Sequence, residues 1–188
     1  MNFKQKIIEN NDNNFNVRDE LQNLPLDDIL NYQPKNGFAV CALNILGDLN
    51  IGTIIRSAVI FGADKFYIAG RKRWDRRSSV GSHNYIDIEY VDAWDDSTET
   101  LNYDKILKTV NQNYVTVACE TEGLPIKEFP KGKMFKPCFI FGSEGFGIPS
   151  NVLDNVNYCV TIPQLGVLRS LNVSSAASII MYEYVRNF

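Results

Sequence analysis

Apolar positions along this chain fall into two alternating patterns, short continuous runs and longer segments with helical spacing. The runs predict strands buried on both faces of a sheet, and they cover residues 38–43, 66–69, 114–119, 138–141 and 158–162. A less regular alternation over 86–91 predicts one more strand. Helical spacing covers residues 51–61, 103–110, 149–156 and 172–186. This alternation of strands and helices predicts an α/β fold, with a mostly parallel sheet and helices on both faces.

The first 36 residues are more polar than the remainder and rich in Asn and Asp. Five asparagines between Glu9 and Asn16 predict a flexible stretch. The segment from Val17 to Leu30 predicts a short helix that ends before Pro34. We therefore expect a partly flexible N-terminal extension over 1–36 and one α/β domain over 37–188.

Length and composition favour a single globular domain. The chain has 188 residues, of which 45% are hydrophobic and 22% charged, and these values exclude collagen, coiled coil and wholesale disorder. No apolar run approaches the roughly 18 residues that a membrane-spanning helix needs. The start of the chain also lacks the apolar core of a signal peptide. We expect a cytosolic protein with no membrane contact.

Cysteine and histidine usage gives no sign of a metal site. The four cysteines form no C-x-x-C pair, and each stands in a strand-like run: Cys41, Cys119, Cys138 and Cys159. They are predicted to be small buried apolar side chains. The single histidine, His83, lies in a polar stretch and is predicted to be a loop residue rather than a catalytic base. We therefore expect no metal.

One short segment concentrates positive charge. The formal net charge is −3, yet residues 65–77 hold six basic residues against Asp75, which leaves 13 basic and 21 acidic residues elsewhere. Such a basic loop on an acidic protein is typical of a local polyanion contact. An aromatic among arginines can stack on a base, although a solvated loop with one anchoring aromatic would show the same pattern. The predicted polyanion contacts, which become RNA contacts if the substrate is RNA, are Arg71, Lys72, Arg73, Trp74, Arg76 and Arg77.

Three further segments follow predicted strands, where ligands bind in parallel sheets. In the first, Asn50 is placed to cap a helix, and Arg56 follows six residues later. The second, from Phe141 to Gly147, holds three glycines around Glu144, and its spacing fits neither a Walker loop nor a dinucleotide fingerprint. In the third, residues 162–173, an Ile-Pro pair precedes a glycine turn, and Ser170 or Asn172 caps the last helix. Each of these features can also be explained by local structure alone.

Together and in this order, the three segments resemble the SpoU (TrmH) branch of the SPOUT RNA methyltransferases. The matching motifs are Asn50-x-Gly52-x-x-x-Arg56, residues 141–147, and residues 162–163 through 170–173 with Tyr182-Glu183 near the end. The resemblance covers about residues 37–188. It implies a fold that periodicity does not predict, a parallel sheet whose C-terminal part forms a deep trefoil knot.

The resemblance also implies a cofactor, an assembly and a reaction. S-adenosylmethionine would be bound in the knot, and the residues implied for it are Gly142, Ile162, Leu171, Gly147 and Glu120. The protein would be a homodimer whose active site is completed across the interface. The reaction would be methyl transfer to a ribose 2′-hydroxyl of RNA. The residues implied to carry it are Arg56, Asn50, Glu144, Ser170 and Asn172.

The chemistry restricts what the implied arginine can do. A guanidinium is effectively always protonated, so Arg56 is a poor general base. A bidentate grip on a neighbouring phosphate, or stabilisation of a developing alkoxide, agrees better with its properties. We expect Arg56 to be essential and leave its role open at this point.

The choice of RNA rests on weaker features. Gln164 and Arg169 make the third motif more similar to tRNA-type members, which modify a D-loop guanosine, than to ribosomal ones. Only about 36 residues precede the core, too few for the RNA-binding domain that ribosomal members often carry. Both features favour tRNA over ribosomal RNA. Two functions of other classes stay open, an RNA-binding protein without catalysis and an unrelated α/β nucleotide enzyme.

Overall fold

The structure, a computed structural model, describes residues 17–70, 73–132, 134–186 and 188. The predicted flexible stretch Glu9–Asn16 lies outside these residues, as do Arg71 and Lys72 of the basic loop. The domain boundary at residue 37 stays a prediction.

A six-stranded parallel sheet forms the centre of the fold, with strand order β3-β2-β1-β7-β6-β8. Its strands are β1 (Ala39–Leu43), β2 (Lys65–Ala69), β3 (Asp87–Val91), β6 (Val115–Pro125), β7 (Pro137–Phe141) and β8 (Tyr158–Thr161). Every residue of β1 and β7 is buried, as continuous apolar runs predict for central strands. The predicted α/β fold with a mostly parallel sheet is confirmed.

Helices cover both faces of this sheet. They are α1 (Leu26–Tyr32), α2 (Asp48–Ile60), α3 (Tyr103–Asn111), α4 (Ser150–Leu153) and α5 (Val173–Val185). Residues of α2 and α5 share one buried cluster with one side of the strands, while residues of α3 and α4 share a second cluster with the other side. Alternate residues of β1 divide between the two clusters, because successive side chains of a strand point to opposite faces.

The N-terminal helix is shorter than predicted. In place of a helix over Val17–Leu30, a 3₁₀ turn at Asp19–Leu21 precedes α1. Pro25 stands just before α1 in an extended conformation, and a proline has no N–H with which to continue a helix through this point. The predicted end before Pro34 is confirmed.

The start of α2 also differs from the prediction. Gly47 is the N-cap of this helix, and Asn50 lies inside its first turn. The prediction that Asn50 caps the helix is therefore wrong. Its side chain instead forms hydrogen bonds to two distant segments, which are described below.

Two features of the sheet were not predicted. A small antiparallel hairpin joins β4 (Trp94–Asp95) to β5 (Thr100–Leu101). Strand β6 extends beyond its apolar run. Its pairing with β8 breaks after Cys119 and resumes at Leu124, which adds the residues up to Pro125 to the strand. This irregularity releases Glu120 and Thr121 from the ladder, so they are available to line a cavity.

The cysteines lie in strands, as predicted. Cys41 and Cys138 are fully buried, while Cys119 and Cys159 are partly buried. Burial raises the pKa of the Cys41 thiol to about 12, so this side chain is a packed apolar group at neutral pH. In the ranges that the structure describes, no helix is long and apolar enough to cross a membrane.

Candidate active site

A cavity of about 550 Å³ opens beyond the carboxyl ends of β6, β7 and β8. All five residues predicted to bind the cofactor line it, together with three of the predicted catalytic residues. They are Glu120, Gly142, Glu144, Gly147, Ile162, Ser170, Leu171 and Asn172. The fold thus places the second and third motifs around one space, at the edge of the sheet where ligands of α/β proteins bind.

The glycine-rich wall of this cavity depends on a close backbone approach. A Cβ at Gly142 would lie 2.4 Å from the carbonyl carbon and 2.5 Å from the carbonyl oxygen of Gly147. Gly147 has a φ of +66°, a conformation that favours glycine. The Glu120 carboxylate fixes the end of this turn by accepting a 2.6 Å hydrogen bond from the Ile148 N–H. The turn therefore has one defined shape.

A chain of side-chain hydrogen bonds joins the three motifs at the rim of the cavity. The Asn50 amide donates to Glu144 Oε1 at 2.5 Å. The Asn172 amide donates to Asn50 Oδ1 at 3.2 Å. Glu144 also accepts the N–H groups of Leu46 at 2.9 Å and Gly47 at 3.0 Å. The carboxylate therefore fixes the loop after β1 against the loop after β7.

Glu144 is an anion, and both of its carboxylate oxygens accept hydrogen bonds. Partial burial raises the pKa of Glu144. The hydrogen bonds from Leu46, Asn50 and Gly47 together have a larger effect in the opposite direction, so the net pKa lies below the ordinary value. Hydrogen bonds to a charged carboxylate favour that form. Glu144 is thus suited to orient Asn50 and poorly suited to accept a proton near neutral pH.

Asn172 has two functions in this arrangement. Its Oδ1 accepts the Ser174 N–H at 2.9 Å and caps α5, while its Nδ2 faces Asn50. Of the two caps considered from the sequence, Asn172 is the one that forms. Ser170 lines the cavity instead.

The two functions of Asn172 can be separated by mutation. We expect Asn172→Asp to keep the cap, since Asp is as good an N-cap as Asn, whereas Asn172→Ala should cost about 1 kcal/mol of unfolding free energy. Both variants lose the donor to Asn50, so the methyl transfer that the resemblance implies should be at least about tenfold slower in both. Urea unfolding and a methyl-transfer assay measure the two effects. Full activity in Asn172→Asp would show that the amide donor is unimportant.

Arg56 lies apart from the other predicted catalytic residues. It is exposed on α2 and lines a separate groove formed with the N-terminal segment, and the cavity of its own chain does not include it. The fold therefore joins Asn50, Glu144, Ser170 and Asn172 but does not bring Arg56 to them within one chain.

The described part of the basic loop exposes its arginines and anchors its aromatic residue, and its contact with RNA stays a prediction. Arg73, Arg76 and Arg77 are exposed, and Arg77 pairs with Asp75 at 2.8 Å. Trp74 is half-buried, and its indole N–H donates to the Tyr90 hydroxyl at 3.2 Å. Of the two interpretations of Trp74, base stacking and an anchor for the loop, this contact agrees with the anchor. His83 lies in a short 3₁₀ turn, where its Nδ1 is 2.7 Å from the Ser79 hydroxyl.

Ser143, Phe146 and Arg169 are among the cavity residues that were not predicted as site residues. Ser143 is buried, and its hydroxyl has no hydrogen-bond partner among the described residues. Arg169 and Phe146 also line the cavity. All three are direct neighbours of predicted site residues along the chain, so their positions in the motifs could have indicated them. Among the residues that the structure describes, no group of three or more His, Cys, Asp or Glu side chains could hold a metal ion.

A parallel sheet with a glycine-walled cavity beyond its strand ends defines a class of α/β proteins that bind nucleotide-like ligands there. The chain belongs to the SpoU rRNA Methylase family, which matches residues 37–182. The predicted family is thereby confirmed.

Relatives and solved structures agree with this assignment. The chain is 27% identical over 163 residues to the tRNA (guanosine(18)-2′-O)-methyltransferase TARBP1 of Mus musculus, a match that covers 81% of this chain and 10% of the relative. It is 25% identical to the SpoU methyltransferase AviRb from Streptomyces viridochromogenes, solved in complex with AdoMet, with a TM-score of 0.68 and coverage of 81% and 58%. It is also 25% identical to the A. aeolicus TrmH/SpoU tRNA modifying enzyme, with a TM-score of 0.69 and coverage of 86% and 83%.

Proposed function

We propose that this protein transfers the methyl group of S-adenosylmethionine to a ribose 2′-hydroxyl of RNA, and that the RNA is a tRNA. The observation that carries the proposal is the hydrogen-bonded chain Glu144–Asn50–Asn172 at the rim of the cavity. Family membership supports RNA methylation. AdoMet in AviRb supports the cofactor, and the mouse tRNA relative supports the choice of tRNA and of the ribose oxygen.

The cavity has the chemistry that S-adenosylmethionine requires. Its volume of about 550 Å³ lies within the range of small-ligand sites. Apolar side chains from Ile162 and Leu171 suit the adenine ring, while the backbone exposed around Gly142 and the buried Ser143 hydroxyl offer hydrogen bonds. When bound, the cofactor supplies an electrophilic methyl group on its sulfonium sulfur.

The side chains at the rim orient the RNA. Asn50 and Asn172 are held by each other and by Glu144, so their amides are placed before the substrate arrives. Such preorganisation aligns the 2′-oxygen in line with the methyl group. Arg56, which cannot act as a base, binds the phosphate beside the target ribose and stabilises negative charge that develops on the 2′-oxygen. The hydroxyl proton passes to solvent water as the oxygen–methyl bond forms and the methyl–sulfur bond breaks.

A homodimer is part of the proposal, because the site of one chain lacks Arg56. Apolar side chains are exposed on α2 and α5, namely Leu49 at 61% and Tyr182 at 56%. A second apolar patch lies on the loop of the third motif, where Leu165 and Val167 are fully exposed. Such patches are typical of protein interfaces. A second copy that covers them would bring its own Arg56 to this cavity.

The trefoil knot is a further part of the proposal. The C-terminal helix α5 lies against the connection between β6 and β7. The Tyr184 hydroxyl donates to the Gly132 carbonyl at 3.0 Å, and Lys131 pairs with Glu183 at 3.0 Å. These contacts support the passage of the C-terminal segment beneath that connection.

We expect the basic loop to contact the RNA backbone. The double variant Arg73→Glu/Arg76→Glu should bind tRNA more weakly, and its affinity should depend less on salt, because each lost phosphate contact removes about 0.7 to 0.9 from the slope of log K against log salt. The matched control is Lys105→Glu/Lys108→Glu on α3, which packs on the other face of the sheet. An unchanged salt slope in the loop variant would refute the contact.

The proposed function is tested with labelled S-adenosylmethionine and two RNAs offered separately, unmodified tRNA and ribosomal RNA. We expect label in the tRNA. Label only in ribosomal RNA would keep the reaction and overturn the substrate. Cofactor binding without transfer to either RNA would favour a binding protein, and a failure to bind the cofactor would reject the enzyme class.

A further inference from the structure

A second concave surface lies between α2 and the N-terminal segment. It is a groove of about 320 Å³, near the lower limit for small-ligand sites. Residues from both sides line it, among them Arg18, Leu21, Ile29, Tyr32, Arg56 and Tyr85. The family match begins only at residue 37, so the N-terminal wall of this groove lies outside the matched residues.

The N-terminal wall is firmly attached to the domain. Leu21, Ile29 and Tyr85 form a small buried cluster. The Gln33 amide donates to the Val59 carbonyl at 2.5 Å, and the Asn36 amide donates to the Phe61 carbonyl at 2.9 Å. These bonds join the N-terminal segment to backbone carbonyls at the C-terminal end of α2. The groove is therefore a built surface.

The rim of the groove carries positive charge from two elements. Arg18 comes from the N-terminal segment and Arg56 from α2, and both are exposed. The basic loop adjoins them through the 3₁₀ turn at Ser82–Asn84. The Ser79 hydroxyl donates to the Arg76 carbonyl at 2.8 Å and lies 2.7 Å from His83 Nδ1, so Arg76 lies beside the turn whose Ser82 lines the groove. Cationic side chains thus extend from the basic loop to Arg18, and such a surface attracts a polyanion.

The remaining lining suits a nucleobase. Buried Leu21 and Ile29 form an apolar floor, and Tyr32 stands at the edge with 53% of its surface exposed. Aromatic rings and guanidinium planes are the groups on which single-stranded bases stack. The groove combines this apolar, aromatic surface with cations for phosphate, and it also contains the arginine that acts in the proposed reaction.

We propose that this groove binds one single-stranded nucleotide of the RNA substrate next to the methylated ribose, with its phosphate between Arg18 and Arg56 and its base on Tyr32. The inference rests on the proposed function, since Arg56 connects the groove to the reacting ribose. The N-terminal segment thereby becomes part of the substrate site.

The test uses Arg18→Glu and Tyr32→Ala, two exposed positions outside the cofactor cavity. Fluorescence anisotropy with a labelled unmodified tRNA transcript gives the affinity at several salt concentrations. We expect Arg18→Glu to weaken binding about tenfold and to reduce the salt slope by about 0.7. Tyr32→Ala should weaken binding with an unchanged slope, because stacking releases no counterions. Lys105→Glu on α3 is the matched charge control and should bind like the wild type.

The outcomes separate this inference from the proposed function. Wild-type affinity in both Arg18→Glu and Tyr32→Ala, with methyl transfer intact, would overturn the inference that the groove binds RNA. The proposed methyltransferase function would then be unaffected. A change of oligomeric state in Arg18→Glu, measured by light scattering, would assign the groove to a second copy of the chain and overturn the inference. A wild-type protein that binds no RNA would reject both proposals.

Discussion

Replacement of Arg56 by alanine is expected to lower the turnover of methyl transfer by at least about 100-fold, the lower limit for a positioned catalytic group. Cofactor affinity should not change, because the proposed role of Arg56 is to bind the RNA phosphate and to stabilise charge on the 2′-oxygen. Single-turnover rates and calorimetric titration with S-adenosylmethionine measure the two quantities. Arg56→Lys is the matched variant: it keeps the charge but loses the bidentate grip on phosphate, so an intermediate rate is expected.

The same residue tests whether the site is shared between subunits. Co-expression of Arg56→Ala with a Gly142→Ala chain produces mixed dimers, in which one site has both an intact cavity and an intact partner arginine. Such a mixture should recover about a quarter of the wild-type rate, since half of the dimers are mixed and each has one working site. No recovery, in mixtures shown to contain mixed dimers, would place Arg56 and the cavity in the same chain. Near-normal turnover of Arg56→Ala alone would remove the arginine from the mechanism.

Gly142→Ala is the second large expected effect, and it acts on the cofactor rather than on the RNA. Its new Cβ would lie 2.4 to 2.6 Å from three backbone atoms of Gly147 and Ile148. Backbone atoms cannot turn aside as a flexible side chain can, so the wall of the cavity must shift. We expect cofactor affinity to fall at least about 100-fold, since binding through backbone groups requires their positions to be exact to a fraction of an ångström.

Gly145 provides the matched control for this prediction. It lies in the same loop, has no positive φ, and a Cβ there meets nothing within 4 Å. Gly145→Ala should therefore bind the cofactor like the wild type. Circular dichroism should show both variants folded. Equal cofactor affinities in the two variants would mean that the glycine-rich turn does not form the cofactor site.

The sequence predicted the central sheet well because its strands are buried on both faces. A strand such as β1, with every residue buried, has a continuous apolar run that no solvent-facing alternation interrupts. The hairpin of β4 and β5 was missed because strands of two residues have no measurable period. The prediction of one helix over Val17–Leu30 did not take Pro25 into account. The effect of a proline on a helix is local, so this break could have been recognised from the sequence.

The site was harder to predict than the fold. The motifs identified Asn50, Glu144 and Asn172 as candidates, but Asn50 lies 94 residues from Glu144 and 122 from Asn172 along the chain. Only the parallel crossover topology brings such segments together, and a single sequence does not contain that information. For the same reason Asn50 was predicted to cap a helix, its commonest local use, instead of joining two loops. The separation of Arg56 from the cavity likewise depends on topology.

The most direct test of the account asks which atom receives the methyl group. Transfer RNA labelled by this protein is hydrolysed with alkali, which cleaves the backbone only where a free 2′-hydroxyl can attack the neighbouring phosphate. Methylation of the 2′-oxygen blocks that attack, so the account predicts that the label is found in an alkali-stable dinucleotide. Transfer RNA treated with Arg56→Ala should lack this labelled dinucleotide. Label in mononucleotides would place the methyl group on a base and contradict ribose methylation.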